Sequence, residues 1–63
     1  MKLGTIISQF ENKETNMTSF VVLNKKGFAV SVKDNESDLF LSTVVIYPNE
    51  DTANQKAIKA IGL

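Results

Sequence analysis

The order of apolar and polar positions divides the chain into short extended runs followed by one helical run. In residues 3–10, Leu3, Ile6, Ile7 and Phe10 are spaced as on one stripe of a helix. The stretch Gly4-Thr5-Ile6-Ile7 is rich in β-branched residues and short, which favours a strand, and a strand is the reading adopted. Residues 11–17 are polar and predict a loop. Residues 18–24 predict a strand in which Phe20, Val21, Val22 and Leu23 are consecutive. Asn24-Lys25-Lys26-Gly27 fits a type I turn closed by a glycine of positive φ. Residues 28–33 return in strict alternation, with Phe28, Val30 and Val32 on one side and Ala29, Ser31 and Lys33 on the other. Residues 34–38 form a polar connection, and residues 39–47 predict the longest strand, stopped by Pro48-Asn49.

The pattern then changes period. Asn49 is placed to cap a helix whose first turn carries Glu50 and Asp51 and whose later turns carry Lys56 and Lys59, each charge matching its end of the helix dipole. Ala53, Ala57, Ile58, Ala60 and Ile61 gather on one side and predict the buried face, while Gly62 terminates the helix and Leu63 folds back on its last turn. The predicted fold is α+β, with residues 1–63 as a single small domain. It is an antiparallel β-meander of three to four strands with one C-terminal α-helix packed on one face.

The apolar residues exceed what such a fold shelters. In residues 18–24, Phe20 and Val22 point one way and Val21 and Leu23 the other. In residues 39–47, Leu39, Leu41, Val45 and Tyr47 oppose Phe40, Val44 and Ile46. Strands apolar on both sides belong to a sheet covered twice, and one short helix covers one face. The second face requires residues 1–12, a second copy of the chain, or another protein, because an uncovered patch of this kind is larger than monomers normally expose. Val21, Leu23, Phe40, Val44 and Ile46 are the candidate interface residues. The expected role is that of a non-catalytic protein–protein interaction module, homo-oligomeric or binding a partner protein. In size and composition the chain is similar to small phage and mobile-element proteins that bind and block a host protein.

Composition narrows the chemistry. The 63 residues include no Cys, His, Arg or Trp, and the seven basic residues, all Lys, balance seven acidic ones. A thiol nucleophile, a Ser-His or Cys-His couple, a Cys/His zinc site and a disulfide framework are thereby excluded. A zero net charge without Arg also argues against a nucleic-acid footprint. Asp34, Glu36 and Asp38 alternate like calcium ligands, but counting from Asp34 the sixth and twelfth positions of the loop hold Leu39 and Val45 instead of Gly and Glu. They read as a solvated loop, and Glu50 and Asp51 as helix-start charges. No enzyme, cofactor or metal site is predicted. No signal-peptide or membrane-spanning pattern is present, so the cytoplasm is the expected compartment and no membrane partner is expected. A chain this short recovers little stability beyond the cost of ordering it, and with neither disulfide nor metal, association is the remaining route to extra stability.

Lys26-Gly27-Phe28, Asp38-Leu39-Phe40-Leu41 and the run ending at Ile46 resemble the central strands of cold-shock domains, over about 21 of the 63 residues. The resemblance implies a five-stranded OB barrel binding single-stranded nucleic acid through strand aromatics, with Lys25, Lys26, Phe28 and Phe40 as the residues concerned. The chain departs from that pattern at Ala29-Val30, where the family has glycine and an aromatic, and at Ser42, where it has histidine. It also lacks tryptophan, and its last 17 residues read as a helix rather than two strands.

Overall fold

The computed structural model of the chain describes residues 2–41 and 44–63. Among them the order is β1 (Ile6–Asn12), β2 (Met17–Asn24), β3 (Gly27–Asp34), β4 (Leu39–Phe40), β5 (Val45–Tyr47) and α1 (Glu50–Ala60). The sheet is antiparallel throughout. β1, β2 and β3 form a meander, and β4 and β5 both pair with the far edge of β3. This is the expected α+β arrangement, an open sheet with a helix on one side, and not the closed barrel that the cold-shock resemblance implies.

The ambiguity in residues 3–10 resolves to a strand for a specific reason. A bulge between Ile6 and Ser8 lets Ile7 turn in to pack on the core while Ile6 faces the other way. The segment therefore extends the sheet at its edge and does not fold across it. Gly4 N–H donates to the Leu23 carbonyl and Leu23 N–H to the Thr5 carbonyl, continuing the alignment beside β2. The loop expected over residues 11–17 is shorter, because Glu11, Asn12 and Met17 belong to the strands and only residues 13–16 turn, with Asn16 at a positive φ of 57°.

The strand expected over residues 39–47 is interrupted. Phe40 lies opposite Lys33 but Val45 lies opposite Val30, so the outer strand gains two residues on β3 between these pairs. An even insertion preserves the alternation of faces, and Phe40 and Ile46 remain on the same side of the sheet. Ser42 lies outside the described residues.

Gly27 follows the two-residue turn with a φ of +145°, and a Cβ there would stand 2.3 Å from the Tyr47 carbonyl oxygen. The turn thus needs glycine both for its backbone angle and for the approach of β5.

The helix is set by its ends. Asn49 Oδ1 accepts the Thr52 N–H at 2.8 Å. At the other end Gly62 has a φ of +85°. Leu63 N–H donates to the Ile58 carbonyl and Gly62 N–H to the Lys59 carbonyl, both at 3.1 Å. Ala53, Ala57 and Ile61, four residues apart, form the buried stripe. Ile58 is half-buried, and Ala60, expected on this face, is exposed because the stripe passes beside it. The small side chains of Ala53 and Ala57 let the helix lie close on Val21 and Val30, with Ile7, Phe10, Phe28 and Tyr47 around them. Polar groups of the first hairpin hold the same contact. Ser19 Oγ, fully buried, donates to the Ala57 carbonyl at 2.9 Å. Asn12 Nδ2 and Thr15 Oγ1 donate to the Ile61 carbonyl at 2.8 and 2.9 Å. No helix among the described residues is long and apolar enough to cross a membrane.

Candidate functional site

Strand alternation and the register of the hairpins sort every sheet residue onto one of two faces. Val21 lies opposite Val30 and Ser19 opposite Val32, which places these four residues beneath α1. The opposite, open face has none of the described secondary elements over it. Its upper row runs across every strand position: Ile6 lies opposite Val22, Val22 opposite Ala29, and Ala29 opposite Ile46. The row is apolar from edge to edge. Ile6 is 53% exposed and Ile46 39%, while Ala29 is sheltered between its larger neighbours.

One row down, Gln9 lies opposite Phe20 and Phe20 opposite Ser31. The lowest row is polar on three strands, Glu11 opposite Thr18 and Thr18 opposite Lys33, and closes with Phe40 opposite Lys33. The Phe20 and Phe40 rings meet at a tilt, with centroids 6.1 Å apart, and Lys33 Nζ stands 5.8 Å from the Phe20 centroid while pairing with Asp38 at 3.1 Å. Glu11 Oε2 accepts a long hydrogen bond from Asn35 Nδ2 at 3.4 Å, and Asn35 Oδ1 accepts from Thr18 Oγ1 at 2.7 Å. The open face therefore grades from an aliphatic end, through Phe20, to an end that holds Glu11, Thr18 and Lys33 together with Phe40.

The residues singled out from the sequence separate between the two faces. Val21 has no exposed surface and packs against α1, so its candidacy as an interface residue is corrected: it belongs to the core. Leu23 lies on the same side, half-buried beside the turn. Phe40 and Ile46 lie on the open face, and Val44 is exposed next to β5.

The nucleic-acid candidates do not converge. Phe28 packs on the core under the helix side, Phe40 lies on the opposite face at the other end of β3, and Lys25 and Lys26 are exposed at the hairpin tip. Asp34, read as part of a solvated loop, shapes its own turn: one carboxylate oxygen accepts Glu36 N–H at 3.1 Å and the other accepts Ser37 Oγ at 3.1 Å.

Ile6, Phe20 and Val22 are the open-face residues that sequence reasoning did not single out. The signal was present in the turn. A two-residue connection at Lys25-Lys26 sets Val21 against Val30, and Val30 belongs to the more apolar side of β3, the side that a helix covers first. Val22 and Phe20 are then left facing outward. No protein-family model, curated protein or solved structure matches this chain.

Proposed function

We propose that the chain is a non-catalytic protein–protein interaction module whose docking surface is the open face of the sheet. One observation carries the reading: the unbroken apolar row Ile6–Val22–Ala29–Ile46, extended by Phe20 and Phe40, on the face opposite the helix. Apolar area of this kind gains about 25 cal/mol for each Å² removed from water, and the charged end beside it supplies orientation. A sheet presenting a row of aliphatic side chains at one end, aromatics beside it and polar groups at the other rim has the composition of a protein-binding surface.

Photo-crosslinking in the cells that make the protein tests this reading. A benzophenone side chain at position 40, on the open face, is compared with the same group at Lys56 on the exposed side of the helix. The expected result is one or a few discrete protein adducts from position 40 and none from position 56. An equal absence of adducts from both positions, with the protein folded and abundant, contradicts it.

A further inference from the structure

Resting on that reading, we infer that the occupant of the open face is a second copy of this chain, stacked sheet to sheet about a two-fold axis parallel to the strands. The grading of the face selects this axis. A two-fold axis across the strands would set the apolar row of one copy on the row of Glu11, Thr18 and Lys33 of the other, burying charge against aliphatic side chains. An axis along the strands sets apolar row on apolar row and polar row on polar row.

This axis also reverses the strand order, so that β1 of one copy lies over β4 and β5 of the other, and β2 over β3. Glu11, on β1, then lies over Phe40 of the second copy and one strand from its Lys33 on β3, a gap the two long side chains span, and the two-fold repeats the contact. Each copy thus offers one acidic and one basic group at matching heights on the same row, separated by one strand. Both have only weak alternatives to leave: Glu11 holds the 3.4 Å bond from Asn35, and Lys33 the exposed Asp38. Asp38 stays beside Lys33 in the stacked arrangement and keeps that rim acidic as well as basic.

The area sets the strength of the contact. Four strand positions about 4.8 Å apart and seven residues of about 3.3 Å each give a face of roughly 19 by 23 Å, so stacking covers about 870 Å² in total, the size of a weak, concentration-dependent association. Aligned packing of two such sheets, about 10 Å apart and rotated by about 30°, is the ordinary geometry of a β-sandwich. The helices then lie on the two outer faces, giving a four-layer dimer.

Sedimentation velocity on the full chain and on Glu11→Lys and Lys33→Glu, alone and mixed, tests the arrangement. The wild type is expected to sediment at twice its 7.0 kDa mass and to dissociate on dilution. Lys33→Glu alone sets a carboxylate at position 33 against the other copy's Glu11 and should dissociate at severalfold higher concentration. Glu11→Lys alone should weaken association less, because Asp38 offsets part of the repulsion. An equimolar mixture restores opposite charges at both contacts and should recover dimer at or above the wild-type level. A mixture no heavier than its components overturns the orientation. A wild type that stays at 7.0 kDa up to millimolar concentration overturns the second copy as occupant, and the crosslinks at position 40 then identify a different protein. Circular dichroism of each variant verifies that the loss is of association and not of folding.

Discussion

The two faces of the sheet are made by alternate residues of the same strands, yet they are finished by different means. The covered face carries Ser19, Val21, Val30 and Val32 and meets α1 through Ala53 and Ala57, small side chains that bring helix and sheet backbones together. Ser19 and Asn12 reach helix carbonyls there, while Val45 and Leu39, on the same side of the outer strands, stay exposed beyond the reach of the helix. The open face carries larger side chains (Ile6, Phe20, Val22, Phe40, Ile46) with no described element over them. A face meant only to meet water alternates to polar residues. Here polar residues hold one end of the face and apolar residues the other. The difference between the faces is therefore between surface closed largely by the helix and surface left open, which the proposed association would close.

The substitution expected to cost most lies where the open face is tied to its edge. Gly27→Ala places a Cβ 2.3 Å from the Tyr47 carbonyl oxygen at a φ of +145°, forcing β5 away from β3. Strain and overpacking together should remove about 3–5 kcal/mol, read as the midpoint shift in urea unfolding.

Adjacent residues of β2 give the sharpest contrast. Val21→Ala, under the helix, should cost about 2–3 kcal/mol through transfer and cavity terms. Val22→Ala, on the open face, should cost less than about 1 kcal/mol at dilutions where the chain is monomeric. Its effect should grow at high concentration if association buries it. Equal costs at low concentration would break the distinction between the faces.

The smallest effect concerns the polar tie at the helix end. Asn12→Ala removes the 2.8 Å bond to the Ile61 carbonyl while Thr15 still donates there at 2.9 Å. The expected loss is about 1–2 kcal/mol, measured by thermal or urea unfolding, with faster amide exchange at the C-terminal turn of α1.

Much of this architecture was legible because local chemistry and global fold agree. Asn49, Gly27 and Gly62 each carry the side chain or the lack of one that their position requires, and the alternation of residues 28–33 names its own buried side. Residues 3–10 were ambiguous because a bulge mixes the two periodicities: Ile7 faces the core out of step with the strand. The break between Phe40 and Val45 was hidden because residues 39–47 are strand-forming throughout and a two-residue gain keeps the alternation of faces, so a continuous strand and an interrupted one give the same pattern. Interface residues were only half separable. Composition shows that both faces are apolar, whereas assigning Val21 inward and Val22 outward requires the register of the hairpin as well as its existence.

Methyl-resolved NMR with a soluble paramagnetic probe, followed over a dilution series, tests the central claim most directly. Val21 and Val30 should be protected at every concentration, because α1 shields them. Val22 and Ile46 should be protected at high concentration and become accessible together as the protein is diluted. Full accessibility of Val22 and Ile46 at all concentrations would contradict the pairing of two open faces.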